Sequence, residues 1–169
     1  MGTEVSVYFW HENDVEGSAI VDEIYAEVDR INALMSTYVE TSLISEINRR
    51  AADEAVFASE ELFQLIRRSL DISVLTRGAF DITYDSVGQH YDFRERRRPD
   101  DATVEAERGN IDFRHVKLDQ GKSTVRFAQQ GVRINLGGIA KGYVVERGVD
   151  ILRRHGVEYG VVTAGGDSR

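Results

Sequence analysis

The spacing of apolar residues divides the chain into strands and helices. From Glu4 to Trp10 every second residue is apolar, which is the period of a strand that buries one face. From about Val15 to Met35 apolar residues recur every three or four positions, which is the period of an amphipathic helix. The positions on this helix that we expect to be buried are Ile20, Ile24, Val28, Ile31 and Met35.

A hydroxyl-rich loop, residues 36–42, follows this helix and leads into a short amphipathic turn over residues 43–48. The next helix begins near Ser59, because two acidic residues there favour the positive end of a helix dipole. Gly78 stands where a glycine commonly ends a helix. The buried stripe of this helix is predicted to be Leu62, Leu65, Ile66, Leu70 and Ser73.

The remaining elements are shorter, and residues 87–98 between them read as an irregular polar loop. A small surface helix is predicted from Asp101 to Glu107, closed by Gly109, and a long helix from about Ile139 to His155. The expected strands are His115–Asp119, Thr124–Phe127 and Val132–Leu136, which form an antiparallel meander, and Val157–Thr163. This order predicts one α+β domain over residues 1–169, with helices packed on a largely antiparallel sheet.

Composition narrows the possible functions of these 169 residues. The net charge is −8, which argues against a nucleic-acid surface, and the basic run at residues 94–98 is interpreted as a solvated loop. Without cysteine there is no disulfide framework, thiolate nucleophile or zinc–cysteine site. No signal peptide or membrane-spanning run is present, so the chain as given is expected to be soluble.

The segment Arg133–Tyr143 carries the strongest candidate chemistry. Two glycines, Gly137 and Gly138, join a predicted strand to a predicted helix, where backbone N–H groups favour an anion, and Lys141 adds a positive charge beside it. The alternative is a tight turn that uses glycine only to pack the helix on the sheet. The spacing matches neither a Walker loop nor a dinucleotide fingerprint.

Other polar segments also have two interpretations. Gly78-Ala-Phe-Asp-Ile-Thr83 is either a ligand loop with exposed backbone N–H groups or the start of a strand with an Asx-turn. The hydroxyls of residues 36–42 either cap helices or donate to phosphate or ribose oxygens. The four histidines, His11, His90, His115 and His155, are interpreted as exposed loop residues.

Taken together, five blocks in order resemble the ApbE family of flavin transferases, which move FMN from FAD onto a threonine of a target protein. The blocks are Met1-Gly-Thr3, Met35-Ser-Thr-Tyr38 with Ser45-Glu-Ile-Asn48, Gly78-Ala-Phe-Asp-Ile-Thr83, Asn135-Leu-Gly-Gly-Ile-Ala-Lys-Gly-Tyr143, and Gly165-Gly-Asp167. They span the whole chain, which makes the resemblance specific.

The resemblance implies an ApbE-like, T-fold-like architecture and a set of site residues. The implied FAD contacts are Met1, Tyr38, Ala79, Phe80, Asp81, Asn135, Lys141 and Asp167. The backbone carbonyl of Gly138 is the implied magnesium ligand, consistent with a hard cation that takes oxygen ligands and binds a pyrophosphate. The implied partners are FAD and a threonine-bearing acceptor protein; no catalytic residue is assigned, and the oligomeric state and the acceptor stay open.

The sequence also departs from the family's pattern. Asn135 stands where many members have aspartate, and Tyr84-Asp-Ser-Val87 stands where the family usually has Gly-Pro-Leu. The family continues well past Gly-Gly-Asp with further magnesium ligands, and its members are usually periplasmic and membrane-anchored. The chain is therefore expected to be an incomplete N-terminal half, inactive alone. The alternatives are a magnesium-dependent FAD pyrophosphatase that yields FMN and AMP, and a non-catalytic FAD-binding remnant.

Overall fold

The structure, a computed structural model, describes residues 3–92 and 95–169. Its strands are β1 (Val5–Phe9), β2 (Val56–Phe57), β3 (Val116–Asp119), β4 (Thr124–Phe127), β5 (Gly160–Ala164) and β6 (Asp167–Ser168). Its α-helices are α1 (Asp14–Met35), α2 (Leu43–Arg50), α3 (Glu60–Leu75), α4 (Asp85–Gly88), α5 (Asp101–Glu107) and α6 (Gly137–Arg154). Short 3-10 turns are Ile82–Tyr84, Arg108–Asn110 and Phe113–His115.

The chain forms two compact units, which we call unit 1 and unit 2. Unit 1 comprises Met1–Ser36 and Gly137–Arg169, and unit 2 comprises Thr37–Leu136. Both contain helices and an antiparallel sheet, so the α+β class is confirmed, with the strands divided between two sheets. None of the helices in the described ranges combines the length and the apolar character needed to cross a bilayer. The single flavin-transferase domain over residues 1–169 stays a prediction.

Unit 1 is a three-stranded sheet in the order β1-β5-β6, together with α1 and α6. Helix α1 begins where predicted because the Asn13 side chain accepts hydrogen bonds from the backbone N–H groups of Val15 and Glu16. Four of the five predicted core positions of α1 are buried, and Val28 is half-buried. Helix α6 lies on β5, where a Cβ added at Gly148 would be 3.0 Å from Cγ1 of Val162. The glycine in mid-helix is therefore required by close packing.

Unit 2 is built on a sheet in the order β2-β4-β3 with the shorter helices around it. The Ser59 hydroxyl caps α3 by accepting from the N–H of Leu62, and Gly78 has a φ of +84°, as the sequence predicted for a helix end. The predicted stripe of α3 is buried except for Leu70, which is half-buried. Phe63 and Ser69, which the sequence analysis did not select, are also buried.

The predicted strand at residues 132–136 is wrong, although its alternation is real. Val132, Ile134 and Leu136 are buried, but the segment pairs with no strand in the part of the chain that the structure describes. Instead its backbone is bonded by side chains: the Asn48 amide pairs with both polar groups of Ile134, and the Ser86 hydroxyl accepts from Arg133 N–H at 3.0 Å. The third strand of this sheet is the two-residue β2, with Val56 opposite Val125.

Three smaller predictions also fail locally. Residues 87 and 88, which were predicted to be irregular, belong to the helical turn α4. The last long strand begins at Gly160 and not at Val157, because the N–H of Val157 still bonds to the carbonyl of Leu152 at the end of α6. Strand β6 was not predicted; it follows the Gly165–Gly166 turn, in which both glycines have positive φ.

Candidate functional site

A small polar and aromatic cavity of about 180 Å³ lies within unit 2, and we call it the tyrosine pocket. Of the predicted FAD contacts, Tyr38 and Asn135 line it together, although the two residues belong to different sequence blocks. Its lining is Thr37, Tyr38, Tyr84, Asp85, Gly88, Gln89, Tyr91, Arg133 and Asn135. The structure therefore brings two of the predicted site residues to one place.

Asp85 is the buried charge of the tyrosine pocket. Its side chain is only 7% exposed, and it accepts hydrogen bonds from Nδ2 of Asn135 at 3.0 Å and from Nε of Arg133 at 3.3 Å. Nδ2 of Asn135 also donates to Oγ1 of Thr37 at 3.2 Å. A carboxylate at this depth is tolerable because a guanidinium and an amide both donate to it.

The position of Asn135 is fixed by its backbone as well as by its side chain. Its N–H donates to the carbonyl of Ile82 at 2.9 Å, and the preceding residues are held by Asn48 and Ser86. The 3-10 turn that contains Ile82 runs directly into α4, which carries Asp85. The backbone hydrogen bond between Asn135 and Ile82 therefore holds Asn135 close to the helix that carries Asp85.

Tyr84 has a perturbed phenol in this pocket. Partial burial raises its pKa to about 12, and the nearby Asp85 charge and Tyr38 contribute in the same direction. The phenol of Tyr84, which is neutral at pH 7 even with an ordinary pKa, therefore stays neutral to a higher pH than a solvated tyrosine. Tyr38, in contrast, is 82% exposed and presents most of its ring to solvent. The pocket can accordingly offer aromatic surface and neutral hydroxyls to a planar ligand.

The loop over residues 78–83 offers fewer available backbone N–H donors than the predicted ligand loop. The N–H of Ala79 bonds to the carbonyl of Thr76 at 3.2 Å, and the N–H of Phe80 bonds to Oγ1 of Thr76 at 3.1 Å. The expectation of exposed backbone N–H groups at these two residues is therefore wrong. The strand start is also wrong, since a 3-10 turn follows Asp81.

Asp81 shapes this loop through its own hydrogen bonds. One carboxylate oxygen accepts from the N–H and hydroxyl of Thr83, at 2.8 and 2.6 Å, and forms the predicted Asx-turn. The other accepts from the N–H of Phe113 at 2.8 Å. Asp81 also lines a cavity of about 420 Å³ with Gly78 and Phe113. The hydrogen bonds between the Asp81 carboxylate and other described residues therefore stabilise the conformation of the loop.

In unit 1, residues from three sequence blocks meet at the start of α6. The sequence predicted that Gly137 and Gly138 lie in a turn before the helix. In the structure the helix begins at Gly137, so both glycines lie inside its first turn. Nζ of Lys141 donates to the carbonyl of Gly137 at 3.3 Å. A Cβ at Gly165 would collide with Oγ1 of Thr3 and lie 2.8 Å from Cδ of Lys141. Only glycine at position 165 leaves room for the lysine stem.

The last two predicted contacts have different status. Asp167 is exposed at the start of β6, where it is paired with Ala164. Met1 lies outside the described residues.

The histidines are not all simple loop residues. His90 pairs with Glu107 at 2.8 Å and His155 with Glu23 at 2.7 Å, both at the surface. His115 ends a 3-10 turn, and its Nδ1 is buried with no hydrogen-bond partner among residues 3–92 and 95–169, so the exposed-loop interpretation is wrong for this residue.

Comparison with known proteins places this arrangement in a family. Residues 1–169 match the pattern of the ApbE family. The chain belongs to the ApbE family. The chain is 26% identical over 159 residues to the FAD:protein FMN transferase of Treponema pallidum. The aligned region covers 90% of this chain and 44% of that protein. It is 25% identical over 174 residues to the protein of the same name from Vibrio cholerae. That alignment covers 100% of this chain and 52% of that protein.

Solved ApbE structures have the same fold. The ApbE protein of Thermotoga maritima is 30% identical, with a TM-score of 0.87 over 99% of this chain and 55% of that chain. The flavin transferase ApbE of Vibrio cholerae is 25% identical, with a TM-score of 0.89 over 100% of this chain and 56% of that chain. The chain spans about half the length of the curated relatives it matches.

Magnesium is the cation that the ApbE resemblance implies, but the described residues do not form a complete site for it. In residues 3–92 and 95–169, no three histidine, aspartate or glutamate side chains are grouped so that they could hold a metal ion. The candidate ligand from the ApbE pattern is the backbone carbonyl of Gly138 alone. One carbonyl is far short of the oxygen ligands that a magnesium ion requires.

The ApbE pattern did not reveal Asp85 and Arg133 as residues of the pocket. Asp85 accepts a hydrogen bond from the side chain of Asn135, 50 residues away, and another from Arg133, 48 residues away, so these contacts exist only in the folded chain. A signal for Asp85 was nevertheless present in the sequence analysis. Residues 84–87, which include Asp85, were named there as one departure from the ApbE pattern, and Asn135 was named as another.

Proposed function

We propose that this chain is part of an FAD:protein FMN transferase. In the proposed reaction a threonine hydroxyl of an acceptor protein attacks the FMN phosphorus of FAD. The new threonine O–P bond replaces the bond to the bridging oxygen, AMP leaves with that oxygen, and the hydroxyl proton is released. The observation that carries the proposal is the ApbE match over residues 1–169, together with curated relatives that bear this name.

For unit 2 we propose that Tyr38 and Asn135 contact FAD in the tyrosine pocket. The exposure of the Tyr38 ring supports this role, because a solvent-accessible aromatic side chain is a surface on which a planar ring can stack. We also propose contacts to FAD from Ala79, Phe80 and Asp81. Since the N–H groups of Ala79 and Phe80 are already bonded within the loop, such contacts would be made by their other atoms.

For unit 1 we propose that Lys141 and Asp167 contact FAD. The Lys141 ammonium lies at the start of α6, where the positive end of the helix dipole adds to its attraction for a phosphate. Its reach to the carbonyl of Gly137 is a weak contact that a phosphate oxygen can replace. Positioning and charge of this kind are what phosphoryl transfer requires of a protein.

We include magnesium in the proposal, with the carbonyl of Gly138 as the ligand from this chain. When bound, such a cation would supply positive charge beside the pyrophosphate of FAD. The described residues offer it no carboxylate cluster, so this part of the proposal depends on the resemblance alone.

A titration of this polypeptide with FAD, with and without magnesium, tests the binding part of the proposal. We expect saturable binding, followed by calorimetry or flavin fluorescence, that tightens when magnesium is added. A folded chain that binds no FAD would contradict the assigned contacts. Affinity that does not depend on magnesium would instead support the non-catalytic FAD-binding alternative.

The chemistry is tested with the protein that contains this chain, FAD and a threonine-bearing acceptor. We expect mass spectrometry to show FMN joined to the acceptor threonine and an equal amount of free AMP. A control without acceptor separates transfer from hydrolysis. Release of free FMN and AMP at the same rate in that control would favour the pyrophosphatase.

A further inference from the structure

Two side chains that line the tyrosine pocket are in direct contact. Asp85 is a buried carboxylate, and Asn135, one of the proposed FAD contacts, lies beside it. Nδ2 of Asn135 donates to Oδ1 of Asp85 at 3.0 Å. The amide of Asn135 and the carboxylate of Asp85 thus form a hydrogen-bonded pair in the pocket.

We propose that Asp85 is a positioning residue of the tyrosine pocket. In this role Asp85 orients Asn135 and Arg133 for the dinucleotide. The inference rests on the proposed function, because Asn135 is one of the proposed FAD contacts.

The charge balance of the pocket supports this role. The Asp85 side chain is 7% exposed and that of Arg133 is 30% exposed, so their ion pair is screened from solvent on the carboxylate side. An aspartate at position 135 beside Asp85 would place two carboxylates within hydrogen-bonding distance, which raises the energy of the charged forms. The aspartate at 85 and the asparagine at 135 are therefore compatible with each other, whereas two aspartates are not.

The hydrogen-bond geometry supports it as well. Nδ2 of Asn135 donates both to Asp85 and to Oγ1 of Thr37, and these two acceptors together fix which way the amide faces. Nε of Arg133 is held by Oδ2 of the same carboxylate at 3.3 Å. One side chain thus sets the orientation of two pocket-lining groups, which is the arrangement that pre-organises a binding site.

Reciprocal exchange of the two residues tests the inference. The variants are Asp85→Asn, Asn135→Asp and the double exchange, in the full 169-residue chain, with FAD, AMP and FMN as separate probes. We expect each single variant to weaken FAD binding about tenfold or more, since a hydrogen bond to a charged group is lost or replaced by repulsion. The double exchange restores the carboxylate–amide pair and should recover about tenfold relative to Asn135→Asp.

The half-molecules distinguish positioning from a general effect on the fold. We expect the loss to fall on one of AMP and FMN and to leave the other within about twofold, because the pocket contacts one part of FAD. Asp71→Asn, an exposed aspartate on α3, is the matched control and should bind all probes like the unchanged chain. Equal losses for AMP and FMN, or a double exchange no better than the weaker single variant, would overturn the inference.

Failure of the proposed function gives a different result. An unchanged chain that does not bind FAD contradicts the proposed function and the inference with it. Binding by the unchanged chain with no loss in Asp85→Asn contradicts the inference alone. If Asp85→Asn does not fold, Thr37→Val removes the other acceptor of the Asn135 amide without changing a charge, and we expect a smaller loss for the same half-molecule.

Discussion

The side chain of Asn48 forms a matched pair of hydrogen bonds with the backbone of Ile134. Nδ2 donates to the Ile134 carbonyl at 2.9 Å, and Oδ1 accepts from the Ile134 N–H at 2.8 Å. Ile134 is fully buried, so water cannot reach these groups in place of the amide. One asparagine thus does for this residue what a neighbouring strand does in a sheet.

Replacing Asn48 by alanine should destabilise the protein by about 2–4 kcal/mol, because two buried backbone groups lose their partners. Denaturant unfolding measures this as a lower midpoint with an unchanged slope. Gln129→Ala is the control, since its amide bonds to Asn110 at the exposed surface, and we expect a change within about 0.5 kcal/mol. Equal stability of the two variants would show that the Asn48 pair is unimportant.

Two glycines on α6 should respond in opposite directions to alanine. Gly148→Ala is expected to destabilise the protein by about 1–3 kcal/mol, because the new methyl would press on Val162. A Cβ at Gly142 would meet no atom of the described residues within 4 Å outside the neighbouring turns of its own helix. Gly142→Ala should therefore stabilise the protein by about 0.5–1 kcal/mol through helix propensity. Thermal unfolding of the two variants is the measurement. Stabilisation by both would mean that α6 and β5 adjust freely.

Lys141→Ala should weaken FAD binding about tenfold or more and leave the fold intact. Its ammonium bonds only weakly to the carbonyl of Gly137, so little stability depends on it. Lys117→Ala, an exposed lysine on β3, is the control and should bind FAD normally. Calorimetric titration compares them. If Lys141→Ala binds as tightly as Lys117→Ala, Lys141 is only a solvated helix charge.

Glu27 should make unit 1 sensitive to acid. Its pKa is lowered from 4.5, first by the Arg30 hydrogen bond and then by Arg147, against an opposing effect of burial. A lowered folded pKa stabilises the protein above the unfolded value and loses that contribution as the pH falls through the folded value. We therefore expect the stability advantage over Glu27→Gln to be full above about pH 5 and to shrink towards about pH 3.

Urea unfolding at several pH values measures the Glu27 effect. Glu12→Gln, at an exposed glutamate, should show no such trend in its difference from the unchanged chain. A constant difference between the unchanged chain and Glu27→Gln across this range would mean that the two arginines do not hold the carboxylate in its charged form.

The elements that the sequence predicted well are those whose period is long and unbroken. Helix α1 repeats its apolar positions over 22 residues, so chance agreement is small. Strand β2 has two residues and hence no period to detect. Residues 132–136 alternate like a strand because alternate residues are buried, but the pattern does not say whether a strand or a side chain such as Asn48 satisfies the backbone.

The candidate site was predictable only as far as motifs extend. The resemblance selected Tyr38 and Asn135, which do line one pocket. It could not show that the Asp81 carboxylate is bonded to the N–H of Phe113, 32 residues further along the chain. Nor could it show the pairing of Asp85 with Asn135. Such contacts are set by tertiary packing, and the local sequence on either side of each residue carries no record of them.

Unit 1 is interrupted in sequence by the whole of unit 2, and this has a consequence for biosynthesis. Helix α1 packs on α6, but α6 leaves the ribosome only after residues 37–136 have been made. Unit 2 has its complete sequence by then and can fold as a unit while α1 still lacks its partner. The apolar face formed by Ile20, Ile24 and Ile31 therefore lacks its packing against α6 until residues 137–154 have been made, and during that interval a chaperone can bind it.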